Sequence, residues 1–289
     1  MSPVLSDPGA VREQVRAWRR QGERIALVPT MGDLHAGHLA LVDHACAVAD
    51  RTVVSLFVNP LQFGPGEDYA AYPRVPEQDR ARLAEHGVDA VFAPSDEALY
   101  PFGLDSALRI SVPGLDDILC GVDRPGHFSG VATVVTKLFN TVDPDVAVFG
   151  EKDYQQLLLV RRLVAELLFA IDIHGVATVR EADGLALSSR NSYLDEEQRR
   201  RAPTLFAVLQ ETASAVGAGA RDFAALTAHA EQRLRANGLR PEYVEIRRAA
   251  DLARPRPADS AAELRVLAAG RLGRARLIDN VAVTLGEAK

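Results

Sequence analysis

The sequence predicts an α/β fold with a doubly wound, Rossmann-like parallel sheet, followed by a second, smaller α+β domain at the C-terminus. Up to about Asp183, short apolar runs typical of buried strands alternate with helical patterns. This order builds parallel sheets with helices on both faces. From about Gly184 the pattern changes to Ala-rich helices and then to strand-like runs. We therefore predict one domain over residues 1–183 and another over 184–289.

Apolar and β-branched runs mark the strands of the first domain, and longer periodic segments mark its helices. The predicted strands are 24–28, 51–58, 88–93 and 146–149. The predicted helices are 39–45, 76–87, 131–140 and 154–169, with a loop-rich stretch at 94–128. Three polar motifs, at 29–38, 59–64 and 150–153, each follow a strand, and ligands of such sheets bind at the carboxyl ends of the strands.

The second domain is predicted to contain two helices and a small group of strands. Ala-rich patterns favour helices over 195–216 and 222–237, separated by a Gly-Ala-Gly-Ala segment. Strand-like runs follow at 243–247, 264–269 and 275–279.

Length and composition indicate an ordinary globular protein. The 289 residues are 47% hydrophobic, which is enough for a sizeable core. No apolar run reaches the roughly 20 residues that span a bilayer, and the N-terminus lacks a secretory pattern, so we expect a cytoplasmic protein without a membrane partner. Two distant cysteines fit a reducing compartment. The net charge of −6 argues against a nucleic-acid partner.

The most informative segment is Pro-Thr-Met-Gly-Asp-Leu-His-Ala-Gly-His at 29–38, between a predicted strand and a predicted helix. Gly32 and Gly37 permit close approach of a phosphate, and the N–H groups at the start of a helix attract anions. His35 and His38 are three residues apart and therefore share one face of a helix. Two imidazoles beside one phosphate can donate hydrogen bonds or a proton. The segment predicts a nucleotide site.

A histidine pair of this spacing also occurs in metal sites and on ordinary surfaces. Zinc needs further ligands, and neither Cys46 nor Cys120 has a suitable spacing. The segment is neither a Walker A motif nor a dinucleotide fingerprint. Nucleotide binding remains the favoured interpretation.

Three further groups of polar residues suit the same chemistry. Lys152 follows a strand and Gly150, where its point charge suits a phosphoryl transition state, although a surface turn with a salt bridge is the alternative. Ser188, Ser189 and Arg190 offer two hydroxyls and a guanidinium to phosphate oxygens. The amides of Gln62 and Gln156 suit a small hydroxylated acid, unless they are merely structural.

Six segments in order resemble the pantothenate synthetases, the pantoate–β-alanine ligases of the nucleotidyltransferase superfamily with the HIGH-type histidine signature. The segments are PTMGDLHAGH, FVNPLQF, YPR, RPGHF, FGEKDYQQ and READGLALSSRN. The resemblance runs from about residue 24 to 194 and is weaker beyond it. It implies that (R)-pantoate reacts with ATP to give pantoyl adenylate and pyrophosphate, and that β-alanine then displaces AMP to form pantothenate. It also implies a homodimer in which the C-terminal domain acts as a lid.

The resemblance assigns roles to individual residues. It implies that His38 donates a proton with His35 beside it at the phosphates, and that Lys152 stabilises the α-phosphoryl transition state. It also implies that the outgoing phosphates are held by Ser188, Ser189 and Arg190. The resemblance also implies that Gln62 and Gln156 bind pantoate and that Gln62 borders the β-alanine site. The implied ATP-binding residues are Met31, Gly32, Asp33, Leu34, His35, Ala36, Gly37, His38, Gly150, Glu151, Lys152, Asp153, Val179, Leu187, Ser188, Ser189 and Arg190.

Mg²⁺ is expected on the ATP phosphates. Gln78 stands where many relatives have an acidic residue, so Asp79 is the candidate that would assist the metal. Two other functions remain open. A related nucleotidyltransferase would need the histidines and Lys152 but not the two glutamines, and a silent nucleotide-binding protein would bind ATP without turnover.

Overall fold

The computed structural model describes residues 2–256 and 258–285. The described chain forms two compact units. The first contains the chain up to Glu151 together with Gln156–Ala177, and the second contains Lys152–Gln155 together with the chain from Thr178 onward. The predicted domains, 1–183 and 184–289, differ from these units at 178–183 and at Lys152–Gln155.

Parallel strands form the sheet of the first unit. They are β1 (Val4–Leu5), β2 (Ile25–Thr30), β3 (Arg51–Leu56), β4 (Ala90–Phe92), β5 (Val146–Gly150) and β6 (Asp172–Val176). Their order across the sheet is β1-β4-β3-β2-β5-β6, and every pair is parallel. From β2 the chain proceeds through β3 and β4 on one side and through β5 and β6 on the other. The carboxyl ends of β2 and β5 therefore flank the switch point, where such sheets bind ligands.

Helices cover both faces of this sheet. They are α1 (Pro8–Arg19), α2 (Ala36–Val48), α3 (Pro76–Glu85), α4 (Asp96–Leu99), α5 (Cys120–Asp123), α6 (His127–Val142) and α7 (Tyr154–Glu166), whose first two residues belong to the second unit. Val42 of α2 packs in one cluster with Val148 of β5. Phe139 of α6 contacts Phe149 edge to face, with 6.5 Å between the ring centroids. Because neighbouring residues of a strand point to opposite faces, these contacts place α2 and α6 on opposite sides.

The described residues of the second unit include three α-helices and an antiparallel sheet. They are α8 (Glu196–Arg201), α9 (Thr204–Gly217), α10 (Phe223–Ala236), β7 (Arg240–Arg248), β8 (Leu264–Leu272) and β9 (Ala275–Ala282), with the sheet order β7-β8-β9. Leu205 and Leu209 of α9 pack in one core with Leu234 of α10 and Val266 of β8. The predicted α+β character of this part of the chain is confirmed.

The structure confirms the predicted fold class and corrects some elements. The single helix predicted over 195–216 is wrong, because the chain leaves α8 before Pro203, which has no N–H to donate to the preceding turn. Three elements were not predicted from the sequence: β1, α1 and β6. The strand β1 has two residues, and β6 contains Asp172 and Gly175, which are uncommon in strands. In the described ranges, no helix is both long and apolar enough to cross a membrane.

Candidate active site

The turn after β2 has a left-handed backbone that hydrogen bonds hold in place. Gly32 has φ 84° and Asp33 has φ 52°, a region that favours glycine. The carboxylate of Asp79, on α3, accepts hydrogen bonds from the backbone N–H groups of Asp33 at 2.9 Å and Leu34 at 2.8 Å. Arg82, one turn later on α3, donates to the carbonyl oxygen of Leu34. Both ends of the Leu34 backbone are therefore fixed by α3.

Asp79 was expected to assist a metal ion, and its surroundings show what its carboxylate does in the protein alone. The residue is 2% exposed, and each of its oxygens accepts one backbone N–H. Among the residues that the structure describes, no group of three or more His, Cys, Asp or Glu side chains could hold a metal ion. The carboxylate of Asp79 thus positions the turn, and its assistance to a metal stays a prediction.

His35 and His38 lie together at the start of α2. His35 has an extended backbone and caps the helix, so it precedes the first turn instead of lying on it. Its Nδ1 accepts the N–H of Gly37 at 3.1 Å, and Nδ1 of His38 accepts the N–H of His35 at 3.4 Å. The ring centroids are 4.1 Å apart. Because each Nδ1 is an acceptor, a neutral ring carries its proton on Nε2 and can donate it from there.

The side chain of Gln62 is held in the loop after β3. Gln62 is 8% exposed, and its Oε1 accepts a hydrogen bond from Nδ2 of Asn59 at 3.1 Å. The fully buried Asn59 also donates to the carbonyl of Gly130 and accepts from the hydroxyl of Tyr100 at 2.6 Å. Burial raises the pKa of that hydroxyl, so Tyr100 remains a donor. Nε2 of Gln62 contacts Sδ of Met31 at 3.2 Å.

A second network holds the backbone of Gln62. Its carbonyl oxygen lies 2.8 Å from Nδ1 of His127, and Nε2 of His127 lies 2.9 Å from Nη1 of Arg124. Since a guanidinium only donates and a carbonyl only accepts, these contacts assign the proton of a neutral His127 ring to Nδ1. Arg124 binds both oxygens of Glu67, at 2.6 and 2.7 Å.

The carboxylate of Glu67 is stabilised in its charged form. Burial is the largest single effect and opposes ionisation, but the hydrogen bonds and charge of Arg124, together with the backbone N–H of Gly64, outweigh it and hold the pKa of Glu67 below its ordinary value of 4.5. The segment RPGHF, which contains Arg124 and His127, contributed to the sequence prediction only through the resemblance. The contact of these residues with Gln62 was not predicted, because it joins chain segments 62 and 65 residues apart.

A glycine of α6 lets the helix approach the Gln62 loop. A Cβ on Gly130 would overlap the carbonyl of Leu61 and stand 2.7 Å from the backbone nitrogen of Gln62. No real Cβ fits at that distance, so Gly130 is required for this approach. Gln156, the second predicted pantoate ligand, is half-buried in the first turn of α7.

The second unit contains the other predicted phosphate ligands. Lys152 lies in a short 3₁₀ helix after Gly150, and its Nζ is 3.6 Å from a carboxylate oxygen of Asp153, the salt bridge that the alternative interpretation anticipated. Ser188 caps another 3₁₀ helix, and its Oγ accepts the N–H of Arg190 at 3.3 Å. Lys152 and Ser188 line one cavity together with Asp279. The unit thus brings two of the predicted ligands to one place.

The remaining predicted ATP ligands of this unit lie close to Ser188 in the sequence; they are Val179, Leu187, Ser189 and Arg190. The N–H of Leu187 donates to the carbonyl of Val179 at 3.0 Å. Leu187, Ser189 and Arg190 are all half-buried. Backbone pairing therefore connects Val179 to the serine-arginine segment.

Comparisons with known proteins agree over nearly the whole chain. A family model described as pantoate-beta-alanine ligase matches residues 3–282. The chain is 55% identical over 282 residues to a pantothenate synthetase of Nitrosococcus oceani, with 98% of each chain covered. It is 59% identical over 268 residues to one of Thioalkalivibrio sulfidiphilus, with 93% of each covered.

Solved structures extend the likeness to three dimensions. A crystal structure of pantothenate synthetase from Thermus thermophilus has a TM-score of 0.89 at 48% identity and covers 97% of this chain and 99% of that one. A pantoate-beta-alanine ligase from Francisella tularensis, complexed with beta-gamma ATP and beta-alanine, has a TM-score of 0.83 at 32% identity, and the match covers all of both chains.

Proposed function

The chain belongs to the pantoate–β-alanine ligase family, and from this premise we propose how its residues carry out the reaction. It is a ligase that forms pantothenate from (R)-pantoate and β-alanine with ATP as the second substrate. A carboxylate is a poor acyl donor until its oxygen becomes part of a good leaving group. In the proposed course, the pantoate carboxylate attacks the α-phosphorus of ATP and pyrophosphate leaves. The amine of β-alanine then attacks the acyl carbon of pantoyl adenylate, and AMP leaves.

The hydrogen bonds that Nδ1 of His35 and Nδ1 of His38 accept from backbone N–H groups are the observation that carries this proposal. They hold both rings at the start of α2, beside the carboxyl end of β2. With Nδ1 occupied on each ring, Nε2–H is the donor that we assign to phosphate oxygens. The N-terminus of a helix adds partial positive charge there. We assign His38 as the proton donor and His35 as its neighbour at the phosphates.

Gln62 is prepared to bind a small polar acid. Its Oε1 is already held by Asn59, whereas its Nε2 faces the thioether of Met31, a weak acceptor. A carboxylate or hydroxyl oxygen is a stronger acceptor than sulfur, so Nε2 of Gln62 can exchange its contact with Met31 for a hydrogen bond to such a ligand. We assign Gln62 to pantoate and to the border of the β-alanine site, and Gln156 to pantoate.

We assign the phosphates of ATP to cationic and hydroxyl groups. Lys152 supplies a point charge, Arg190 supplies a planar guanidinium, and Ser188 and Ser189 supply hydroxyls. Backbone groups of 31–38 and 150–153, with Val179 and Leu187, complete the proposed ATP ligands.

We propose that Mg²⁺ enters the site bound to the ATP phosphates, where it would neutralise part of their charge. In the described ranges no cluster of metal-binding side chains supplies a protein site, and both Asp79 oxygens accept backbone N–H groups. The residues therefore fit a metal carried by the nucleotide better than a metal held by the protein. A cytoplasmic location, a homodimer and a lid role for the C-terminal domain stay predictions.

A coupled assay with Mg²⁺, ATP, (R)-pantoate and β-alanine tests the proposed function. AMP and pantothenate should appear together and only when all three substrates are present. His38→Ala should lower kcat by about 10²- to 10⁴-fold, the usual contribution of a positioned proton donor. His229 is exposed on α10, so His229→Ala is the matched control and should retain full activity.

Two results would overturn the proposal. Transfer of AMP to an acceptor without free AMP would indicate a related nucleotidyltransferase. Intact ATP in the presence of measurable ATP binding would indicate a silent nucleotide-binding protein.

A further inference from the structure

The turn that contains Lys152 belongs to the second unit although the chain on both sides of it belongs to the first. Residues Lys152–Gln155 cluster with the chain from Thr178 onward. The antiparallel sheet and its loops hold this turn at three points. Nδ2 of Asn280 donates to the carbonyl of Lys152 at 2.9 Å, the Arg265 guanidinium lies 3.7 Å over the ring of Tyr154, and the Tyr154 hydroxyl donates to the carbonyl of Ala249 at 2.9 Å.

Asn280, on β9, is itself fixed in one orientation. Its Oδ1 accepts a hydrogen bond from Nη1 of Arg265 at 2.5 Å, and its backbone N–H donates to Asp279 at 2.7 Å. Arg265 offers only donors and the carbonyl of Lys152 is only an acceptor, so the amide has one arrangement that satisfies both. Asn280 is 5% exposed and Arg265 is 9% exposed. Water therefore competes little for these hydrogen bonds.

We propose that Asn280 is a positioning residue for Lys152. Its hydrogen bond to the carbonyl of Lys152, 128 residues away in the chain, orients that lysine. This inference rests on the proposed function, in which the Lys152 ammonium acts on the phosphoryl group. Holding the carbonyl of Lys152 fixes the peptide plane that joins it to Asp153, and hence the direction in which the long side chain leaves the backbone. A misplacement of about 1 Å in a catalytic group lowers a rate by about 10²-fold.

The loss of rate that follows from misplacing Lys152 is best measured in the first half-reaction, because Lys152 is assigned to adenylate formation. Pantoate-dependent exchange of labelled pyrophosphate into ATP should fall by about 10- to 100-fold in kcat for Asn280→Ala. The KM for pantoate should stay within about twofold, because Gln62 and Gln156 are unchanged. Asn280→Asp keeps the acceptor for Arg265 and loses the donor to Lys152, so it should show the same loss and serves if the alanine variant does not fold.

Asn237 provides a matched control in the same unit. Its Nδ2 also donates to a backbone carbonyl, that of Arg233 at 2.9 Å, at the end of α10. Asn237→Ala should lower stability in urea unfolding and leave kcat unchanged.

A double-mutant cycle separates positioning from a general structural role. If Asn280 acts through Lys152, Asn280→Ala should cost nothing further in the Lys152→Ala background, because the group that it orients is already gone. Single-turnover reactions with enzyme in excess keep the slow variants measurable. Equal losses in both backgrounds, a loss confined to KM, or the same loss in Asn237→Ala would overturn the inference. Absence of exchange in the unmodified protein would instead refute the proposed function.

Discussion

Oδ1 of Asp79 accepts the backbone N–H of Leu34 at 2.8 Å, so a buried carboxylate on α3 holds the turn that precedes the two histidines. Oδ2 holds the adjacent N–H of Asp33 in the same way. Asp33 has a positive φ, a conformation that costs free energy unless the surroundings hold it. The geometry at His35 and His38 therefore depends on a residue far away in the chain.

Asp79→Asn should destabilise the protein and slow the reaction. An amide offers one acceptor oxygen where the carboxylate offers two, so its NH₂ would face one of the N–H groups, and we expect a loss of about 1–3 kcal/mol in the free energy of unfolding. Urea unfolding and kcat measure the two effects. Glu77, exposed in the first turn of the same helix, supplies Glu77→Gln as the control. If the dependence of rate on Mg²⁺ shifts while the fold is unaffected, Asp79 assists the metal after all.

Gly130→Ala should weaken pantoate binding more than it affects ATP. The new Cβ would overlap the backbone at Leu61 and push Gln62 away, which costs about 1–3 kcal/mol as overpacking. If about 1.4 kcal/mol of this falls on binding, the KM for pantoate rises about tenfold. Steady-state kinetics with each substrate varied in turn measure the difference.

Gly64→Ala is the control for this substitution. Gly64 lies in the same loop, and the nearest atom to its added Cβ would be 3.9 Å away, an ordinary contact. An unchanged KM for pantoate in Gly130→Ala would show that the loop shifts without moving the Gln62 amide.

Glu67→Gln should lower stability at neutral pH but not in acid. The pKa of Glu67 is lowered in the folded protein, so its contribution is complete above the unfolded pKa near 4.5 and is lost as the pH falls through the folded pKa. At pH 7 we expect a loss of about 1–3 kcal/mol, as for hydrogen bonds to a charged group. Unfolding free energies at several pH values measure it. Glu85→Gln, at an exposed position of α3, is the control, and a difference that grows in acid would contradict the assignment.

Arg180→Lys should destabilise the second unit despite the retained charge. Arg180 binds both oxygens of Asp279, at 2.5 and 2.9 Å, and lies 3.7 Å over the ring of Phe206. A lysine can neither form the paired hydrogen bonds nor stack in this way, so about 1–3 kcal/mol should be lost. Hydrogen exchange of β9 amides reports the change. Arg201→Lys, at an exposed ion pair with Glu197 in the same unit, should have little effect.

Much of the fold was predictable because its signals are local. The strands β2, β3 and β5 are apolar runs with turn residues after them, and Pro76 marks the start of α3. The edge strand β6 was missed because a half-exposed strand lacks a continuous apolar run. The break at Pro203 was missed although proline carries a clear signal. The candidate site followed from motifs at strand ends, and its residues remain proposals.

The sequence by itself determined the fold class and the family and proposed positions for the chemically active residues, since these depend on local periodicity and on motifs within short segments. Only the tertiary structure decided which residues hold the active ones in place. Asp79 contacts Leu34 across 45 residues, and Asn280 contacts Lys152 across 128. Hydrogen bonds between such distant segments leave no periodic pattern in the sequence, because folding alone brings their donors and acceptors together.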